Sequence, residues 1–200
     1  MDSPEKQKKY LKTIYQNTVY IDRLIDDLFL FSKLDLQKLD FHFELVQTKA
    51  FMNDLMEEFK FELEERQYRF VYEDNLEADC LINIDRKRLH QAFRNIIGNA
   101  VKYGGSRDLV ITVCLREQED FIAVTVEDNG PGISEEKLPY IFDRFYRIDA
   151  ERTKDLMSTG LGLAIAKELV QAHRGRISAA SKERAGTCFT ISLPICPARG

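Results

Sequence analysis

A polar stripe on an otherwise apolar helix is the strongest constraint in this sequence. Within residues 94–103, Asn95, Asn99 and Lys102 stand at positions i, i+4 and i+7, so on a helix they share one face. The positions around them are apolar: Phe93, Ile96, Ile97, Ala100 and Val101. Polar groups buried without partners cost free energy. The stripe therefore predicts a ligand, and a hydrated metal ion with phosphates suits two amides and an ammonium group.

A second stretch, residues 128–133, reads Asp-Asn-Gly-Pro-Gly-Ile. It follows the alternating Val124 and Val126, which predict a strand that ends at Asp128. The carboxylate then lies at a strand end, beside glycine backbone that leaves room for a ligand. An ordinary turn aspartate is the alternative, since Asp-Asn-Gly is common in hairpins. Taken alone, the two interpretations of Asp128 are equally good.

Two further motifs follow in order, at residues 141–147 (Ile-Phe-Asp-Arg-Phe-Tyr-Arg) and 159–166 (Thr-Gly-Leu-Gly-Leu-Ala-Ile-Ala), with Gly186-Thr187 before a last predicted strand. The set resembles the N box (94–103), first glycine box (128–133), F box (141–147) and second glycine box (159–166) of sensor histidine kinases. These kinases share the Bergerat-fold ATPase superfamily with gyrase, heat-shock chaperones and mismatch-repair ATPases. The resemblance covers residues 4–194, and four motifs in family order are more specific than any one of them.

The resemblance implies a site for ATP and Mg²⁺. Asp128 would accept a hydrogen bond from the adenine amine, Asn99 and Asn95 would ligate Mg²⁺, and Lys102 would offset phosphate charge. We assign the catalytic role to Asn95, Asn99 and Lys102. The nucleotide-binding set is Asn95, Asn99, Lys102, Tyr103, Asp128, Gly130, Gly132, Ile133, Arg144, Arg147, Thr159, Gly160, Leu161, Gly162, Leu163 and Thr187.

Asn95 separates kinase from hydrolase within the superfamily. Members that hydrolyse ATP have a glutamate general base four residues before the metal-binding asparagine. Here that position is Asn95, which cannot accept a proton at neutral pH. The site is therefore predicted to hold ATP for transfer to another group.

The hydrophobic pattern predicts an α/β sandwich, with a mixed, mainly antiparallel sheet covered on one face by three helices. Strands are expected at 41–46, 68–73, 80–84, 108–116, 120–127, 176–181 and 187–193. Helices are expected at 48–66, capped by Thr48, at 134–140, and at 161–173. Asp85 is expected to cap the N-box helix. Residues 143–159 are predicted to be a mobile loop, and Pro194 and Pro197 to end the fold.

Residues 4–35 predict one long helix with an apolar stripe, formed by Leu11, Ile14, Thr18, Ile21, Ile25 and Leu28 and widened by Leu24 and Phe31. Such a helix is built to pack in a bundle. By resemblance it is the second helix of a dimerisation hairpin. We expect residues 1–38 to be that truncated hairpin and 39–200 to be the catalytic ATP-binding domain.

The phosphoacceptor motif of the hairpin's first helix is not found. His42 is expected to be an outward strand residue, His90 to flank the N box, and His173 to be a cation at a helix C-terminus. The sequence is therefore interpreted as a fragment. Its expected partners are the missing first helix, a response regulator and, when intact, a second copy of itself.

Composition narrows the classes of function and location that this protein could have. The net charge of −4 gives no indication of nucleic-acid binding. The four cysteines lack metal-ligand spacing and are expected to be reduced. No apolar run of about 20 residues is present. We expect a cytoplasmic domain of a protein that is anchored in the bacterial cell membrane elsewhere.

The predicted function is the ATP-binding kinase domain of a sensor histidine kinase. It would transfer the γ-phosphoryl group of ATP to a histidine, for relay to an aspartate of a response regulator. The alternatives are a superfamily ATPase that couples hydrolysis to clamp closure, and a nucleotide-sensing regulatory module without transfer activity.

Overall fold

The computed structural model describes residues 4–104, 108–148 and 159–197. The helices are α1 (Pro4–Asp35), α2 (Thr48–Glu65), α3 (Arg86–Tyr103) and α4 (Gly162–Ala172). The strands are β1 (Glu44–Gln47), β2 (Arg69–Asp74), β3 (Leu81–Ile84), β4 (Val110–Gln118), β5 (Phe121–Asp128), β6 (Arg176–Ser181) and β7 (Thr187–Cys196).

The strands form one sheet in the order β1-β3-β7-β5-β4-β2, with β6 paired to β7. The pair β2–β4 is parallel, and the other strand pairs of the described chain are antiparallel. The buried faces of α2, α3 and α4 join the same apolar core as the sheet. The α/β sandwich with a mixed, mainly antiparallel sheet is therefore confirmed.

Helix α3 carries the N box, and local chemistry explains where it starts. The Asp85 side chain accepts a hydrogen bond from the Arg88 backbone N–H at 3.0 Å, which satisfies one free donor of the first turn. The pKa of Asp85 is below its usual value. Burial opposes ionisation, but hydrogen bonds from the backbone N–H groups of His42 and Arg88 outweigh it. The predicted cap is confirmed.

Two predicted element boundaries near α2 are wrong. Residues 41–43 precede β1 rather than belonging to it, and exposed His42 instead gives its backbone N–H to Asp85 at 2.9 Å. Thr48 is not the N-cap of α2, because Gln47 occupies that position. The Thr48 hydroxyl donates to the Cys80 carbonyl at 2.8 Å, which fastens the helix to the chain before β3.

Two boundaries in the second half also differ. The predicted helix at 134–140 is a 3-10 turn over Leu138–Tyr140, where Pro139 has no backbone N–H for a longer helix. Of the two prolines predicted to end the fold, Pro194 does not, since β7 continues to Cys196, which Pro197 follows. The Ile195 backbone N–H donates to the Asp120 carbonyl at 2.9 Å, so the strand stays paired beyond the proline. Residues 149–158 of the predicted mobile loop lie outside the described residues.

His173 lies at the C-terminal end of α4, as the sequence predicts, but it is not the predicted cation. Its side chain is 3% exposed. Nδ1 lies 2.7 Å from the Leu169 carbonyl oxygen, and Nε2 accepts a hydrogen bond from the Asp85 backbone N–H at 3.0 Å. Since Nε2 accepts, Nδ1 is the donor and the imidazole is neutral. The ring joins the end of α4 to the start of α3.

Helix α1 has two different apolar faces. Leu30 and Phe31 are buried, and Leu24 is half-buried. Most of the predicted bundle stripe is exposed: Leu11, Ile14, Ile21, Ile25 and Leu28. Phe31 therefore does not widen that stripe, because it packs against the core that the sheet and α2–α4 share. Within the described ranges, no helix combines the length and apolar character that crossing a bilayer requires.

Candidate functional site

A row of three polar side chains crosses the sheet at the end of β5. Asp128 pairs with Thr187, and Thr187 pairs with Ser181. The Ser181 hydroxyl donates to the Gly186 carbonyl at 2.7 Å and lies 3.0 Å from the Thr187 hydroxyl. It also accepts the Ile133 backbone N–H at 2.8 Å. The row thus holds the end of the first glycine box against β6.

Asp128 is a buried carboxylate with few protein partners. It is 8% exposed, and Oδ1 accepts the Gly130 backbone N–H at 2.8 Å. Burial raises the pKa of Asp128 above its usual value, although hydrogen bonds from the backbone N–H groups of Gly130 and Thr187 favour the charged form. A buried acceptor at the base of a site discriminates strongly between ligands, since an unpaired acceptor is costly.

Close backbone approaches bring the motifs together around Asp128. A Cβ atom on Gly130 would lie 2.9 Å from the Cα atom of Gly104, which follows α3. Gly186 has φ +86°, and a Cβ atom there would collide with the Asp128 carbonyl oxygen. Only glycine fits both positions. The first glycine box therefore lies directly against the end of the N box.

The N box also contacts the second glycine box. The Asn95 Nδ2 donates to the Gly162 carbonyl oxygen at 2.9 Å, which leaves Oδ1 available as an acceptor. Asn99 is half-buried on the same face of α3. Among the described residues, no hydrogen bond of its side chain is present. Within the described residues, the amide oxygens predicted to face a metal ion therefore accept no hydrogen bond from the protein itself.

Lys102 completes this face of α3 with a buried charge. Its Nζ atom is buried, and it has no hydrogen-bond partner in the described parts of the chain. It lies 5.0 Å from the ring centroid of Tyr103, whose side chain is 44% exposed. A buried ammonium without an anion is costly, so this position fits the phosphate groups of a ligand. Arg147 is similar, because its Nε is also buried without a partner there.

The second glycine box places backbone donors rather than side chains at the site. The side chain of Leu161 is fully buried, and that of Leu163 packs against the core. Helix α4 begins at Gly162, so the free N–H groups and the positive dipole end of its first turn provide an anion site. The Thr159 hydroxyl accepts a hydrogen bond from the Leu161 backbone N–H at 3.2 Å.

The F box contacts α1 more than it contacts the row at Asp128. The Arg144 guanidinium donates to Asp35 Oδ1 at 2.8 Å and stacks over the Phe31 ring at 4.3 Å. Phe142 packs edge-on against Phe189 of β7. Phe145 is 58% exposed, and its backbone N–H donates to the Gly160 carbonyl at 3.0 Å. The F box therefore connects α1 with the second glycine box.

His90 is turned away from this site. Its Nε2 lies 2.9 Å from Glu58 Oε1, and its ring stacks on Phe59 of α2. Arg94 joins the same surface group through Glu58 at 2.8 Å. The side chain that flanks the N box in sequence therefore belongs to an α2–α3 surface contact.

A metal ion here would depend on amide oxygens. Within the described ranges, no group of three or more His, Cys, Asp and Glu side chains could hold one. Mg²⁺ keeps several waters and takes phosphate oxygens as ligands, so a single protein oxygen suffices. Asn99 and the free Oδ1 of Asn95 fit that requirement when phosphates are bound nearby.

Sequence reasoning missed two residues of this region. The role of Ser181 follows from the register of β6 and β7. Pairing the two predicted strands on either side of the turn at Gly186 would have placed Ser181 opposite Thr187. Asp27 of α1 gave no such signal. Its Oδ2 accepts the Thr159 hydroxyl at 2.9 Å, across a tertiary contact between segments far apart in the chain.

Comparison with known proteins decides the family. Residues 84–197 match the sequence model described as "Histidine kinase-, DNA gyrase B-, and HSP90-like ATPase". The chain belongs to this family. The match includes all four motifs and the Asp128–Thr187–Ser181 row, so the predicted resemblance is confirmed.

Members of the family with sensor-kinase names resemble the chain over most of its length. It is 38% identical over 189 residues to the sensor histidine kinase WalK of Bacillus subtilis (strain 168), covering 93% of this chain and 30% of that protein. A sensor protein kinase WalK of Staphylococcus saprophyticus is 37% identical over 95% of this chain and 31% of its own length. The chain thus spans under a third of these two relatives.

Two solved structures show the same fold. Full-length ShkA in complex with AMPPNP matches with a TM-score of 0.79 and 21% identity, over 100% of this chain and 41% of that one. The histidine kinase ThkA in complex with the response regulator protein TrrA matches with a TM-score of 0.75 and 21% identity, over 100% and 55%. Both matches extend over α1 as well as the sandwich.

Proposed function

We propose that the chain is the ATP-binding kinase portion of a sensor histidine kinase. The observation that carries this proposal is the buried Lys102 ammonium, which has no hydrogen-bond partner among the described residues and lies on the helix face that also presents Asn95 and Asn99. Gly104, at the C-terminal end of this helix, lies against Gly130 of the first glycine box, and Asn95 on the helix face bonds to Gly162 of the second. One end of the site therefore suits adenine and the other suits phosphates.

Each residue has a stated role in this proposal. Asp128 accepts from the adenine amine, which distinguishes adenine from guanine. Lys102 and the first-turn N–H groups of α4 bind phosphate oxygens. Asn99 and Asn95 hold Mg²⁺ together with those oxygens. Thr187 supports Asp128 from the neighbouring strand.

The remaining predicted positions form the surroundings of the nucleotide. Gly130, Gly132 and Ile133 shape the wall beside adenine, and Tyr103 covers its open side. Thr159, Gly160, Leu161, Gly162 and Leu163 contribute backbone at the phosphates. Arg144 and Arg147 are placed to add positive charge, although Arg144 is bound to Asp35 in this conformation.

The reaction we propose is transfer of the γ-phosphoryl group of ATP to a histidine outside the described residues. Such transfer depends mainly on positioning and on charge neutralisation. Asn95 supports transfer over hydrolysis, because an amide cannot take a proton from water. The acceptor oxygen or nitrogen therefore has to come from another group.

We also propose the division into a truncated hairpin, residues 1–38, and a catalytic domain, residues 39–200. The exposed stripe of α1 supports a first hairpin helix as its partner and dimerisation of the intact protein. The ThkA complex supports a response regulator as the phosphoryl recipient. A cytoplasmic location with a membrane anchor elsewhere in the protein is part of the same proposal.

The test is transfer to a supplied acceptor. The chain is mixed with a protein that carries the first hairpin helix with its acceptor histidine, and γ-labelled ATP is added. We expect acid-labile label on the acceptor, which depends on Asp128 and Asn99, and no rapid phosphate release. Fast hydrolysis without any transfer would instead favour an ATPase, and tight nucleotide binding without either would favour a regulatory module.

A further inference from the structure

The Thr159 hydroxyl joins α1 to the start of the proposed phosphate site. It donates to Asp27 Oδ2 at 2.9 Å and accepts the Leu161 backbone N–H at 3.2 Å. Leu161 immediately precedes α4, whose first turn offers its N–H groups to phosphates. A single side chain therefore lies between a carboxylate of α1 and the backbone donors that a nucleotide would use.

Asp27 is a carboxylate of α1 that lies against the sandwich. It is half-buried, and burial raises the pKa of its carboxyl above the usual value, against the effect of the Thr159 hydrogen bond. No salt bridge to Asp27 occurs among the described residues, although Arg23 has a weak favourable influence and Asp26 an unfavourable one. Phosphates bound at the start of α4 would bring further negative charge to the same place.

The same side of α1 holds the sandwich in its present position. Leu30 and Phe31 are buried there, and Asp35 binds Arg144 at 2.8 Å. Asp27, Leu30, Phe31 and Asp35 recur at helical spacing and so form one docking face. This face is distinct from the exposed stripe of α1.

From these contacts we propose that Asp27 is a positioning residue that couples docking of the sandwich on α1 to an empty phosphate site. This coupling rests on the proposed function, and it works by competition between docking of α1 and binding of the phosphates. Docking places the Asp27 carboxylate at Thr159, whereas nucleotide phosphates place their charge at the neighbouring N–H groups of the first turn of α4. Each therefore disfavours the other.

Linkage then fixes the direction of the effects. If docking through Asp27 opposes phosphate binding, removing the charge of Asp27 tightens the binding of phosphate-bearing nucleotides. By reciprocity, nucleotide weakens the docking of α1. Adenosine has no phosphate groups, so its affinity does not respond to Asp27. A purely structural role of Asp27 would change the two ligands equally or weaken both.

The experiment compares Asp27→Asn with Asp26→Asn in this chain. Both substitutions remove one negative charge from adjacent positions of α1, but Asp26 is exposed and is not bonded to Thr159. Calorimetry measures the affinity of each for a non-hydrolysable ATP analogue with Mg²⁺ and for adenosine. Hydrogen exchange of residues 27–36, with and without the analogue, measures docking of α1.

We expect Asp27→Asn to bind the analogue about fivefold more tightly or better, with adenosine unchanged and Asp26→Asn within about twofold of the original chain. We also expect the analogue to speed exchange over residues 27–36 in the original chain. Equal analogue affinity in all three proteins, or weaker binding by Asp27→Asn, would overturn the coupling while leaving the proposed function intact. Failure of all three to bind either ligand would overturn the proposed function, and the coupling with it.

Discussion

The Asn95 side chain donates a 2.9 Å hydrogen bond to the Gly162 carbonyl oxygen, across 67 residues of sequence. This bond ties the middle of α3 to the first turn of α4. It requires an amide, because a carboxylate has no proton to donate at neutral pH. The residue that distinguishes the predicted transfer site from a hydrolytic one therefore also fixes the distance between two nucleotide-binding motifs.

Asn95→Asp is expected to destabilise the chain. The substitution would place a carboxylate oxygen against the Gly162 carbonyl, with a cost of roughly 1–3 kcal/mol. Thermal or urea unfolding measures the change. Asn83→Asp is the matched control, since Asn83 is exposed on β3. Equal stability of the two variants would contradict a structural role for the Asn95 bond.

Asp128→Asn is expected to weaken ATP binding. The amide removes a charged acceptor for the adenine amine, which costs roughly 1–3 kcal/mol of binding free energy. Calorimetry provides the measurement, and Glu127→Gln, at the exposed neighbouring position, controls for the charge change. An Asp128→Asn variant that keeps full affinity for ATP would show that adenine is recognised elsewhere.

Asn99→Ala is expected to reduce nucleotide binding mainly when Mg²⁺ is present. The amide oxygen is proposed to ligate the metal and makes no contact with adenine. Affinity for the ATP analogue is measured with Mg²⁺ and with a chelator, and the ratio is compared with that of the original chain. The same loss under both conditions would rule out a metal ligand at Asn99.

As the pH is lowered, nucleotide binding is expected to weaken at a higher pH than it would if Asp128 had the pKa of an ordinary aspartate. Burial raises the pKa of Asp128, so its acceptor oxygen becomes protonated as the pH falls towards that raised value, above the usual value of about 3.9. Without nucleotide, the same pKa shift acts on the free energy of unfolding in the opposite sense. The raised pKa stabilises the folded protein when the pH is below the ordinary pKa of an aspartate, and this stabilisation is lost as the pH rises through the raised pKa of Asp128. Titrating analogue affinity against pH, with Asp128→Asn as the control lacking this transition, measures the effect.

His173→Leu is expected to lower stability by roughly 1–3 kcal/mol. The leucine would leave the buried Asp85 backbone N–H without its acceptor, at the point where α3 begins. Urea unfolding measures the loss, and His42→Gln, at an exposed position, should change it little. A His173→Leu variant as stable as the original chain would mean that water replaces the imidazole.

The sequence predicted local chemistry better than contacts between distant segments. Asp85 could be recognised as a cap because the cap, the helix start and its apolar face lie within a few residues. Asp128 and Asn99 could be proposed as site residues because the motifs that contain them resemble those of a known family. His173 could not be placed in the same way, since its burial depends on Asp85, which is 88 residues away.

The same limit applies to α1. Periodicity showed an apolar helix, but a stripe that widens from Leu24 to Phe31 cannot reveal which part packs on the sandwich and which remains open. Nothing in the sequence around Asp27 indicates its contact with Thr159, because the two residues are 132 positions apart. The sequence predicts that the fold ends at Pro194, yet the hydrogen bond from its neighbour Ile195 to Asp120 carries β7 on to Cys196.

The position of β7 has a consequence for how the protein is made. This strand follows all the others in sequence, yet it pairs with β5 and β6 and also with β3. A chain emerging from the ribosome at about 5–20 residues per second must therefore hold β3, β5 and β6 without their β7 partner until residues 187–196 have been released, although β1–β3, β2–β4 and β4–β5 can pair before then. Thr187, the strand partner of Asp128, lies in that same segment, so a nascent polypeptide completes the proposed nucleotide site only in the last step of its sheet assembly. Translation that stalls before Thr187 would leave an aggregation-prone intermediate that chaperones would have to shield.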